Sequence, residues 1–116
     1  MLCLVLAFSY AQSPILSTLA EIPPTIDGVL DDDIWQKSPQ LTGYKTFVPD
    51  FGKDMPYKTI AYMAHDEDNL YFAFKCFDDP KEIKTSIAAR DKIAADDWVC
   101  INLDSFNSGQ SLYAIY

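Results

Sequence analysis

Between Pro23 and Trp35 the chain reads Pro-Pro-Thr-Ile-Asp-Gly-Val-Leu-Asp-Asp-Asp-Ile-Trp, and this run constrains local structure more than any other stretch. Asp27-Gly28 is a turn dipeptide: glycine accepts positive φ, and the aspartate side chain can bond its own following backbone. A bend is expected directly after Ile26. Asp31, Asp32 and Asp33 then offer an N-cap and first-turn negative charge to a short helix. That helix should run to about Lys37, where Ser38-Pro39 stops it. Trp35 would pin the helical turn to a core.

Downstream, the signals are those of strands. Residues 58–64 and 70–77 flank Asp66-Glu67-Asp68-Asn69, the pattern of an antiparallel hairpin. The second of these runs is apolar on both faces apart from Lys75, which predicts a central strand. Residues 40–57 place Gly43, Pro49, Gly52 and Pro56 among Tyr44, Phe47, Phe51 and Tyr57, as in a strand followed by a long aromatic loop. Residues 81–95 leave helix and strand both open. Residues 98–104 alternate with period two: Val99, Ile101 and Leu103 form an aliphatic face expected in the core, opposite Trp98, Cys100, Asn102 and Asp104. Ser108-Gly109 turns the chain into residues 112–116. Short strands, many turns and one brief helix predict an all-β fold, an antiparallel β-sandwich.

With 116 residues there is room for one domain, and a hydrophobic fraction of 49% with 14% aromatics is enough to build a core. A net charge of −8 without a Lys/Arg cluster argues against nucleic acid or an anionic membrane surface as partner. Sugars suit such a chain better, because an aromatic face stacks on the apolar C–H face of a pyranose while carboxylates and amides bond its hydroxyls.

The run from Pro23 to Trp35, the segment His65-Asp66-Glu67-Asp68-Asn69-Leu70-Tyr71-Phe72-Ala73-Phe74, and Arg90-Asp91 followed by Asp96-Asp97-Trp98-Val99-Cys100-Ile101-Asn102-Leu103-Asp104 occur in that order. Together they resemble the family-nine carbohydrate-binding module, found beside xylanases, and related N-terminal domains of exported bacterial envelope proteins. The resemblance spans most of residues 22–116. It implies a jelly-roll-like β-sandwich that recognises glucan or xylan chains without catalysis, on behalf of an attached glycoside hydrolase in carbohydrate catabolism. The family's domains run longer than this stretch, so the sandwich is expected to be incomplete at its C-terminal end, as in a fragment, with a fused hydrolase or envelope domain as partner. In the envelope proteins sugar binding can be lost, which gives a second expectation: an exported interaction or scaffold domain preceding a membrane-associated β-structure.

Carried onto this chain, the pattern nominates Trp98 for stacking and Arg90, Asp91, Asp97 and Asn102 for hydroxyl contacts. Arg90-Asp91 reads equally as a surface salt bridge, and the other reading of Trp98 is a core tryptophan beneath a loop. The family also carries structural calcium. Asp66 and Asp68, with Glu67 and Asn69, cluster hard oxygen donors on one turn, as does Asp96-Asp97, although neither follows the EF-hand spacing and a solvated acidic turn has the same composition. An enzymatic reading finds no pair of carboxylates marked out as acid and nucleophile and no G-x-S-x-G, and the lone His65 reads as a surface residue.

Residues 2–8 form a short apolar run ending at Ser9-Tyr10-Ala11, the pattern of a signal peptide at residues 1–11. The expected setting is therefore exported: periplasmic, outer-membrane-associated or extracellular. The absence of a basic residue before Lys37 leaves an apolar N-terminal strand as the other reading. Residues 12–21 then form a linker or lead-in strand, with folded structure from about Ile22 and the module over residues 22–116. Cys3 would leave with the peptide. Cys76 and Cys100 fit either a disulfide or two packed thiols.

Overall fold

The computed structural model describes residues 15–84, 87, 89 and 97–116; the segments expected as signal peptide and the pair Arg90-Asp91 lie outside them. Six short elements follow in order: β1 (Thr18–Leu19), α1 (Asp33–Lys37), β2 (Thr59–His65), β3 (Leu70–Cys76), β4 (Ile101–Leu103) and β5 (Tyr113–Ile115). Among the described residues the protein is thus mostly strand with almost no helix, an all-β chain. No helix among the described residues is long and apolar enough to cross a membrane. The fold divides into two compact units, up to Asp79 and from Pro80 onward.

In the first unit three strands lie in the order β1-β2-β3. β2 and β3 are antiparallel, with Thr59 opposite Cys76 and His65 opposite Leu70. The turn between them closes on a backbone bond from Asp66 N–H to the Asn69 carbonyl (3.0 Å). β1 joins the other side of β2 in parallel, Thr18 opposite Ala64. Ala20 N–H donates to the His65 carbonyl at 2.7 Å, and Ser17 Oγ lies 2.7 Å from His65 Nδ1. Within the lead-in segment, Thr18 and Leu19 thus form a strand whose backbone partners lie on β2. One expectation changes here: His65 is half-buried and bonded rather than a free surface residue.

The central strand is also β2, not β3. β2 has β1 and the isolated bridge Leu41–Ala61 on one side and β3 on the other. Its residues Ile60, Ala61, Tyr62 and Ala64 are buried, whereas β3 is half-buried to exposed along its length. An apolar reading on both faces had suggested a central position for β3. The register places its phenylalanines, Phe72 and Phe74, on the sheet face of Met63 and Ala61, opposite the face that joins the core cluster.

The core cluster of this unit consists of Ala20, Ile34, Trp35, Ile60, Tyr62 and Ala64, with Leu30, Tyr71 and Ala73 packed at its margin. α1 forms where the acidic run predicted it, but its start is not capped by a side chain. Asp32 instead turns Oδ1 back toward Thr25 N–H (3.4 Å). The end is firmer: both the N–H and the hydroxyl of Ser38 donate to the Ile34 carbonyl at 2.9 Å, and Pro39 cannot extend the helix. One turn of helix could not persist alone. It is held by Trp35, 4% exposed, whose ring meets Tyr62 edge-on at 6.3 Å. The Asp27-Gly28 bend appears as expected, with Gly28 at φ +83° and Val29 N–H bonded to Asp27 Oδ1 at 2.8 Å.

The loop between Leu41 and Thr59 folds back on itself through the Lys45–Asp54 bridge and the bonds Thr46 N–H to Lys53 carbonyl and Gly52 N–H to Thr46 carbonyl, both 2.8 Å. Its tip carries Phe47 and Phe51 in edge contact at 5.9 Å, both well exposed.

The second unit contains the antiparallel pair β4–β5, with Ile101 opposite Ile115 and Leu103 opposite Tyr113. The aliphatic face is real but not core: Ile101 and Leu103 are half-buried, and Val99, Tyr113 and Ile115 are exposed. Two strands do not enclose a face by themselves. Cys76 and Cys100 are both free thiols.

Trp35→Ala should destabilise the first unit by about 3–5 kcal/mol, enough to abolish a cooperative urea transition followed by circular dichroism. Trp35→Phe should cost much less, because it keeps most of the ring and deletes an indole N–H that is buried without an acceptor.

Candidate functional site

The alternating stretch over residues 98–104 is the most suggestive in sequence, and its geometry starts from the register of β4 on β5. Pairing Asn102 with Ala114 places Cys100 across from Tyr116 when the ladder is extended. Trp98 then falls on the same face, one diagonal away, within reach of a long aromatic side chain. The two rings meet at a centroid distance of 5.2 Å and an interplanar angle of 75°. Both stay open to solvent: Trp98 is 53% exposed and Tyr116 69%. Trp98 is therefore not a core residue.

Asn102 shares this face and is exposed, and the Cys100 thiol lies 3.7 Å from its Oδ1. Asp97, the residue before Trp98, is exposed as well. The described residues thus bring two aromatic rings into contact, with the Asn102 amide further along the same face beside Cys100 and a carboxylate next to Trp98 in the chain. Arg90 and Asp91 fall outside the described residues.

Asp104, which the alternation placed beside Asn102, has a different job. Its Oδ2 accepts from Gly109 N–H at 2.7 Å and its Oδ1 from Phe106 N–H at 3.2 Å, so it closes the loop between β4 and β5. The Gly109 N–H foremost, then those of neighbouring loop residues, hold its carboxyl below the usual range. Asn107, at φ +50°, takes the left-handed position that this tight return requires.

Tyr116 was not picked out in sequence. The signal was present: residues 98–104 and 112–116 flank the Ser108-Gly109 turn, and folding one onto the other brings Tyr116 toward Trp98.

The acidic turn of the hairpin is likewise self-contained. Asp66 Oδ1 accepts from Asp68 N–H (2.8 Å) and Asn69 N–H (2.7 Å), the Asn69 amide reaches both carboxylate oxygens, and the Tyr71 hydroxyl donates to Oδ2. The Tyr71 hydroxyl foremost, then the Asp68 N–H, lower the Asp66 pKa to about 2, and the Tyr71 phenol is raised in turn. Asp68 is exposed. Among the described residues no group of three or more His, Cys, Asp or Glu side chains is arranged to hold a metal ion.

Comparison of the chain with family models, with curated proteins and with solved structures gives no match in any of the three.

Because the Asp66 carboxyl is held below its unfolded value of 3.8, its contribution to stability is complete above about pH 4 and is lost as the pH falls toward 2. Tyr71→Phe removes the leading donor. It should move the Asp66 carboxyl titration, followed by carbon NMR, upward and flatten the loss of thermal stability between pH 4 and 2.

Proposed function

We propose that the protein is a non-catalytic carbohydrate-binding domain for glucan- or xylan-type chains, acting outside the cytoplasm beside a glycoside hydrolase or another envelope domain. The observation that carries the reading is the Trp98–Tyr116 pair, two rings more than half exposed on a strand face that also bears Asn102. A ring face left open to solvent offers a pyranose its stacking partner. An adjacent amide offers both donor and acceptor to hydroxyls, and the Asp97 carboxylate is an acceptor next in the chain. Arg90 and Asp91 belong to the proposal through sequence resemblance alone.

The β-sandwich is part of the same inference. Its support is that each sheet has an apolar face short of full burial: Met63, Phe72 and Phe74 on the first, and Val99, Ile101, Leu103 and Ile115 on the second. Such faces call for a covering layer. A structural calcium at Asp66 and Asp68 enters only as a proposal, since the Asp66 oxygens already accept from four protein donors.

One observation favours the scaffold reading as the second choice. The loop tip presents Phe47, Val48 and Phe51, all exposed, which is an apolar group suited to a protein contact.

Calorimetric titration with cello- and xylo-oligosaccharides tests the first reading. Saturable binding is expected, with Trp98→Ala and Tyr116→Ala each weakening it about tenfold by loss of one stacking face while circular dichroism is unchanged. Folded protein that binds neither series would turn the assignment to the scaffold. Repeating the thermal melt in calcium and in chelator addresses the metal: a rise in melting temperature that Asp66→Asn abolishes would support the site, and superimposable melts would remove it.

A further inference from the structure

Among the described residues no strand lies beside the outer edge of β3, and the ladder identifies which backbone groups it leaves free. The bonds Phe77 N–H to Lys58 carbonyl (2.9 Å) and Asp66 N–H to Asn69 carbonyl fix the hydrogen-bonded pairs of the hairpin. By the alternation of an antiparallel ladder, Tyr71, Ala73 and Lys75 point their N–H and C=O groups at β2. Phe72, Phe74 and Cys76 point theirs outward, and no backbone partner meets them among the described residues. A row of this kind is a template for one more strand.

A groove of about 580 Å³ runs along this edge, lined by the consecutive residues from Phe72 to Cys76 on one side and by Ile26, Val29 and Leu30 of the Asp27-Gly28 bend on the other. Ile26 and Val29 are exposed there, without an apolar cover. At the Cys76 end stand Lys58 and Lys75, each with its ammonium within 6 Å of the Phe77 ring centre. Neither lysine closes an ion pair among the described residues, in a chain whose net charge is −8. Free backbone groups, an apolar wall and uncompensated positive charge at one end describe a complementary shape: an extended peptide with apolar side chains at alternate positions and a carboxylate at one end.

We propose that the outer edge of β3 is an acceptor site for such an acidic-ended extended peptide, which adds to the sheet as a fourth strand antiparallel to β3. Its alternate apolar side chains cover Ile26, Val29 and Leu30, and its carboxylate lies at Lys58 and Lys75. The site is independent of the Trp98–Tyr116 face and of any sugar bound there.

The test uses the whole chain and an acetylated heptapeptide that begins with Asp and continues in alternating Val and Thr, followed by amide NMR and calorimetry. Saturable binding is expected, with the largest shifts at the amides of Phe72, Phe74 and Cys76. Phe74→Pro deletes an outward N–H without touching the β2 ladder and should weaken binding about tenfold. Lys75→Glu should weaken it about fivefold and should instead favour the same peptide headed by Lys. This charge swap stands on its own should the proline variant fail to fold. No binding, binding unchanged in both variants, or self-association of the chain that Phe74→Pro abolishes would overturn the proposal, the last by assigning the edge to a second copy.

Discussion

The first unit depends on Trp35 lying against β2. A helix of five residues has no stability of its own, and a three-stranded sheet whose first strand is two residues long has little more. Each needs the other. Trp35 brings the helical turn down on Tyr62, and Ala64, fully buried, lets it approach the strand closely. The same strand receives β1, β3 and Leu41 through its backbone. β2 therefore bonds neighbours along both edges while giving one face to the tryptophan, and loss of that packing would leave the ladder without a covered side.

The parts of the fold legible in sequence were those set by a few neighbouring residues. The Asp27-Gly28 bend, the stop at Ser38-Pro39 and the hairpin around residues 66–69 each express a local preference and appear in the structure close to their expected limits, whereas the strand expected over residues 98–104 is shorter, Ile101–Leu103. What sequence could not supply was which elements neighbour one another. That β1 pairs with β2, and that β2 rather than β3 is central, depends on contacts between residues more than forty positions apart, such as Ser17 with His65. Apolar content on both faces of β3 looked like centrality. It reflects instead a strand whose two faces meet different surroundings, Tyr71 and Ala73 at the core and Phe72 and Phe74 away from it.

The candidate site divides along the same line. Trp98 and Asn102 were found because they lie two strands' steps apart on one face, which is a local property. Tyr116 was missed because its relation to Trp98 passes through a turn, and only the register makes it visible. Asp104 belongs to the same alternation, but its carboxylate has a nearer use in closing the loop.

That use of carboxylates is general in this chain. Asp66 and Asp104 each follow a strand and accept N–H groups from the next few residues, building the turns that let short strands reverse, and Asp27 accepts the Val29 N–H in the bend before α1. An acidic composition therefore does not translate directly into a ligand surface. A carboxylate already accepting backbone donors can take a sugar hydroxyl or a cation only by giving up part of the turn, at the cost of leaving those N–H groups to solvent. Exposed rings carry no such prior commitment: an aromatic face has no backbone partner to surrender. This is why the Trp98–Tyr116 pair, rather than any of the acidic clusters, bears the weight of the functional assignment.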